Sequence, residues 1–340
     1  MQGDNSSESS AQALDMELVV IEPRKNPSTK GPAEIGRAEL DLHQALSNGV
    51  DFDMWTGTAT IDGQKFRLLF DTTSVGLWVP SMDSDVRGKT KFDFKAAPHT
   101  KEIVYQAEIP RHRLIPEASE AKPYSARVII GGKTGRSTLF WTVKNFKQGF
   151  EGLPFDGCVL LIRRKMLLSP FISVLGLGFR SLGKDNPGMS FLDQICIWDP
   201  ANCGFSFYLA NTDAQLHFLR TDPKCFKEDT VERHTALPYL DTHNFLSYWV
   251  IGDGVIKING VPTVTVTRTI LDTTTGAIFG PPELVYAFYR KLRESGLDFE
   301  IQKHGGRDLY LFNCGPLVAD IRISFSWGSL RRDWEWKASQ

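Results

Sequence analysis

The chain has 340 residues, 41% of them hydrophobic and 23% charged, with a formal net charge of −1. This is the composition of a globular protein long enough for two lobes with their own cores. It excludes the strong basic field of a nucleic-acid or anionic-membrane binder, and no apolar run reaches the roughly 20 residues of a membrane-spanning helix.

Residues 1–50 are rich in Ser, Glu, Ala and Lys and read as a polar leader. The first residues lack the basic-then-apolar pattern of a secretion signal. Inside the leader, MELVVIE (16–22) is a short strand-like run followed by basic PRK. From Trp55 the pattern becomes β. Residues 58–70 alternate around Asp62-Gly63, a two-residue hairpin signal because both turn positions must tolerate positive φ. The run GGKTG (131–135) lacks phosphate-loop spacing and is expected to be a hairpin turn. A weak helical pattern covers 189–195. Further on, VIKI (255–258) meets 261–271 across Asn259-Gly260, a second turn of the Asp62-Gly63 type. Pro281-Pro282-Glu283 then opens a helix with Leu284, Val285, Phe288 and Leu292 on one stripe. Arg290, Lys291 and Arg293 fall late in that helix, and Gly296 can end it. The fold class predicted is all-β with a few short helices.

The two hairpins feed near-copies of one motif. The first is LLFDTTSVGLWVP (68–80) and the second is TILDTTTGAIFGP (269–281). Each has apolar residues before an aspartate, then Thr-Thr, a hydroxyl residue, an aliphatic–aromatic pair and a proline. Both aspartates, Asp71 and Asp272, are expected where a strand leaves its sheet, on loops held by a β scaffold. A repeat that keeps an acid, its hydroxyl neighbours and its apolar flanks suggests two halves bringing paired carboxylates together.

With these motifs the chain resembles the pepsin-like aspartic proteases (peptidase A1) over most of residues 55–335. WTGTATIDGQKFRLLFDTTSVGLWVPS is similar to that family's first active-site region, and TRTILDTTTGAIFGPPELV to the second. SVLGLGF (173–179) resembles the hydrophobic-hydrophobic-Gly segment beside the first active-site loop, and GFSFYL (204–209) the strand towards the lobe connection. The resemblance implies a bilobal fold with the active site in the cleft between lobes, and endopeptidase activity on extended polypeptides with apolar residues flanking the cut. Asp71 and Asp272 would be the catalytic pair. Ser74 and Thr275 would hydrogen-bond the outer carboxylate oxygens, and Thr72 and Thr273 would interlock the two loops from below. Tyr105 is the candidate aromatic on the flap over substrate, with Trp78 as its hydrogen-bonding neighbour. No cofactor or metal is implied, and a monomer is expected. Family members are secreted or vacuolar, while the chain itself leaves the compartment unknown.

The expected organisation is a leader over 1–50, an N-terminal lobe over 51–211 and an incomplete C-terminal lobe over 212–340. Four departures from the family bear on it. Thr73 and Thr274 replace the glycine of the usual Asp-Thr-Gly triplet, where bulk and stiffness can displace the carboxylates. Gln106-Ala107-Glu108 follow Tyr105 in place of the flap glycines. Residues 158–173 read as an insertion, because PFDG (154–157) joins VLG (174–176) smoothly without them. After IRISF (321–325) the family continues for several strands beyond the chain's last residue.

Five cysteines are present; Cys196 and Cys203 could bridge a short loop, and Cys314 has no obvious partner. The seven histidines show no metal spacing. Two further classes compete with an active peptidase. A catalytically impaired, peptide-binding homologue is favoured by the paired threonines. A glycoside hydrolase would also need two carboxylates, but predicts no matched Asp-Thr repeats.

Overall fold

The computed structural model describes residues 17–20, 36–47, 50–72, 77–104, 115–116, 119–160, 190–196, 204–209, 213–219, 232–235, 249–274, 278–304, 307–311, 321–328 and 333–336. Among these residues strands dominate, and the α-helices are Phe191–Cys196 and Pro282–Glu294. The fold is all-β with few helices, as the alternation of apolar residues requires.

The largest sheet runs, in spatial order, Asp41–Ser47, Val50–Ile61, Gln64–Asp71, Gly157–Leu160, Leu77–Pro80, Lys133–Val143, Ala121–Ile130 and Lys101–Glu102. Val50–Ile61 also pairs with Ala121–Ile130 near its end, so the sheet closes back on itself. The strands Val50–Ile61 and Gln64–Asp71 meet at Asp62 and Gly63, with φ of 45° and 89°. The strands Val250–Ile258 and Val261–Ile270 meet at Asn259 and Gly260, with φ of 51° and 79°. Left-handed backbone at both positions gives the hairpin twist that fits paired strands. Gly131 and Gly132, at φ 56° and 76°, turn the chain between Ala121–Ile130 and Lys133–Val143, so GGKTG is a hairpin turn.

Two apolar clusters fill the first part of the molecule. One gathers Trp55, Phe66, Phe70, Phe92, Phe140 and Phe218 among others. The other surrounds Trp78 with Met54, Leu69, Trp141, Phe150 and Cys158. The second part has its own sheet, ordered Val261–Ile270, Val250–Ile258, Ile323–Trp327, Trp334–Trp336. Against it lies the helix Pro282–Glu294, whose Leu292 packs with Ile258 and Leu297.

Three features bear on the expected organisation. Strands lie within the expected leader: Gly36–Glu39 pairs with Gln215–Phe218, and Asp41–Ser47 is an edge strand of the main sheet. The reason is period two, with Ala38 and Leu40 buried while Glu39 and Asp41 face out. The strand Gln215–Phe218, beyond the expected boundary at 211, places Leu216 and Phe218 in the first apolar cluster. Finally, the start of the expected insertion at 158–173 overlaps a strand. Gly157–Leu160 is a central strand, parallel to Gln64–Asp71 with Leu160 opposite Asp71. Cys158-Val159-Leu160 has the same apolar, β-forming character as the later Val174-Leu175, so it fills that slot directly after Gly157. Residues 161–189, with the rest of the proposed insertion and the SVLGLGF segment, lie outside the described residues.

Candidate active site

Asp71 ends a strand whose last residues, Leu68, Leu69 and Phe70, are fully buried between neighbouring strands. It is itself only 2% exposed, and Thr72 is buried behind it. Asp272 has the equivalent place after Val261–Ile270, where the Leu271 amide donates to the Trp249 carbonyl at 3.0 Å. In both halves the sheet carries the aspartate to its edge and releases it onto a loop.

The two loops meet through the residues after the aspartates. The Thr72 amide donates to Thr273 Oγ1 at 3.2 Å, and the Thr273 amide donates to Thr72 Oγ1 at 3.0 Å. Each hydroxyl then donates across the junction. Thr72 Oγ1 reaches the Leu271 carbonyl at 2.9 Å, and Thr273 Oγ1 reaches the Phe70 carbonyl at 2.8 Å. Those carbonyls belong to the residues preceding Asp272 and Asp71. The network is the same when the two halves are exchanged, and it draws Asp71 and Asp272 onto adjoining loops.

Asp272 is held further. The amide and the hydroxyl of Thr274 both donate to Asp272 Oδ1, each at 2.7 Å, and Thr274 is only 1% exposed. Charge-assisted bonds of this length suit a carboxylate acceptor. Nothing in the sequence pattern pointed to this contact, because a threonine in the glycine position read only as added bulk.

Trp78 is wholly enclosed, its ring 5.6 Å from that of Phe146 and 5.8 Å from that of Phe150. Its strand Leu77–Pro80 lies between Gly157–Leu160 and Lys133–Val143. Thr73, Ser74, Thr275 and Tyr105 lie outside the described residues. Among the described residues no group of three or more His, Cys, Asp or Glu side chains is arranged to hold a metal ion.

Comparison with known proteins bears on what this junction is. The chain is 24% identical to an aspartic protease of Phaffia rhodozyma over 307 residues, covering 86% of this chain and 68% of that protein. It is 26% identical to aspartic proteinase A3 of Arabidopsis thaliana over 248 residues, 69% of this chain and 43% of the relative. Relatives named as aspartic proteases match at 24–26% identity over most of this chain, which supports the pepsin-like aspartic protease family. Phytepsin of Hordeum vulgare matches to a similar degree, at 26% over 246 residues, again 69% of this chain and 43% of the relative. The chain thus spans less than half the length of these plant aspartic proteases. No protein-family model matches it.

Proposed function

We propose that this chain is a pepsin-like, aspartic-type endopeptidase in which Asp71 and Asp272 form the catalytic dyad. The observation that carries the reading is the reciprocal Thr72–Thr273 bonding, which joins the residues directly after both aspartates. Aspartic proteases are the standing example of two carboxylates that share one proton and so divide the acid and base roles. One carboxylate then takes a proton from a bound water as it attacks the peptide carbonyl. The other delivers its proton to the carbonyl oxygen. Substrate would be an extended polypeptide lying across the junction, with apolar residues beside the cut. Ser74, Thr275 and Tyr105 are proposed for the carboxylate and flap roles that the family resemblance implies.

An oxidising compartment, secreted or vacuolar, fits the disulfide that Cys196 forms. The chain is proposed to work as a monomer. Among the described residues no helix is long and apolar enough to cross a membrane.

A second reading has its own observation. Thr274 stands where the family has glycine, and its hydroxyl takes up acceptor capacity on Asp272. A homologue that binds peptides without cutting them would tolerate this. One assay separates the two: purified protein and denatured globin across acidic pH, beside Asp71→Asn and Asp272→Asn. Cleavage abolished in both variants supports the peptidase. A folded wild type that leaves globin intact at every pH removes it in favour of the binding homologue.

A further inference from the structure

The glycine of the family's active-site triplet offers Asp272 only a backbone amide. In this chain the same position offers two donors. The amide bond from Thr274 to Asp272 Oδ1 closes a local turn that any residue there could close. The hydroxyl bond is different, since it depends on the side chain.

An aspartate's terminal torsion is broad and nearly two-fold, so each added donor narrows the carboxylate's rotation. Two donors converging on one oxygen fix that oxygen and with it the carboxylate plane. Threonine is well suited to this, because its branched Cβ restricts χ1 and burial holds the hydroxyl in place. The Thr72–Thr273 bonds lock the backbone of the second loop one residue earlier. The Thr274 hydroxyl extends that lock to the reacting side chain.

We propose that Thr274 is a positioning residue whose hydroxyl sets the rotation of the Asp272 carboxylate against the Asp71 loop. This rests on the dyad reading above, and it inverts the expectation that threonine here only disturbs the site. Catalysis is sensitive to such placement, where about 1 Å of error can cost on the order of 10²-fold in rate.

The experiment is a kcat and KM comparison of wild type with Thr274→Ser, Thr274→Val and Thr274→Gly on one peptide substrate. It is run well below each variant's melting temperature. Positioning predicts kcat lower by about tenfold or more in Thr274→Val and Thr274→Gly, with KM within about twofold, and rescue to within about threefold in Thr274→Ser. If Thr274→Val does not fold, the comparison of Gly with Ser carries the test. The proposal is overturned if Thr274→Gly matches or exceeds wild type, if Ser falls as far as Gly, or if the loss lies in KM. A wild type that does not cleave sinks the peptidase reading alone. The same series is then titrated with a peptide carrying a secondary alcohol in place of the scissile amide. Affinity kept by Ser and lost by Gly upholds positioning. Equal affinities, or no binding by wild type, overturn it.

Discussion

Thr72 and Thr273 each receive the other's backbone amide on the hydroxyl oxygen, at 3.0 and 3.2 Å respectively. Each hydroxyl is therefore acceptor and donor at once, because it also donates to a carbonyl of the opposite loop. The junction consumes both hydrogen-bonding capacities of both side chains and four backbone groups. A displacement of one aspartate loop is transmitted to the other through bonds of ordinary length, which is how two distant stretches of sequence can act as one site.

Replacing Thr72 with valine keeps the shape and removes both functions of the hydroxyl. The Thr273 amide and the Leu271 carbonyl, both half-buried, then lose their partners, and each unpaired group costs up to about 1–3 kcal/mol. Thr72→Val is expected to lose about 2–4 kcal/mol of stability in denaturant unfolding, while Thr72→Ser stays within about 1 kcal/mol. A valine variant as stable as wild type would show that the junction is held by packing instead.

Gly157 tests the strand that supports Asp71. A Cβ there would lie 2.2 Å from the Trp78 carbonyl oxygen, 2.9 Å from Val79 Cγ1 and 3.1 Å from Leu68 Cδ2. The nearest atom is backbone in a central strand, so no rotamer change relieves the clash. Gly157→Ala is expected to cost about 3 kcal/mol, read as a lower denaturant midpoint. An unchanged midpoint would mean that Gly157–Leu160 is not seated between Gln64–Asp71 and Leu77–Pro80.

The hairpins and the late helix were legible because their signals are local. Asp62-Gly63 and Asn259-Gly260 must adopt positive φ, and the Leu284–Leu292 stripe has helical spacing. The bonding between the two aspartate loops was legible because the repeat kept their surroundings. What was not legible depends on partners distant in sequence. Residues 36–47 look polar in composition, yet form strands beside Gln215–Phe218 and Val50–Ile61, with burial alternating from Ala38 to Asp41. Two apolar stretches, Cys158-Val159-Leu160 and Val174-Leu175-Gly176, both suit a central strand, and local pattern cannot choose between them. The Thr274 hydroxyl was missed because its direction depends on loop geometry, whereas its size is visible in the sequence.

Trp78 separates a packing role from a cleft role. Its ring is enclosed by Phe146, Phe150 and their neighbours, so removing it opens a cavity. Trp78→Ala is expected to lose about 3–5 kcal/mol, and Trp78→Phe less, with KM for a peptide unchanged in the phenylalanine variant. A KM change beyond about threefold in a Phe variant of wild-type stability would support a direct part in the flap.

Alkaline pH probes the second part of the molecule. Tyr289 and Tyr310 stack with centroids 4.0 Å apart and planes within 5°. Burial raises the pKa of Tyr289, and the neighbouring Tyr310 adds to the rise. Burial also raises Tyr310, followed by the charge of Asp308 and by Tyr286. Folding therefore favours the neutral phenols. Their contribution is complete below the ordinary phenol pKa of about 10 and is lost as pH climbs through the raised values. Stability measured by denaturant unfolding should fall with pH above about 10, and Tyr289→Phe should make that fall shallower. Tyrosinate absorbance should show phenols ionising later than free tyrosine, with one fewer in the variant. An identical alkaline decline in both proteins would mean that the stacked pair is open to solvent.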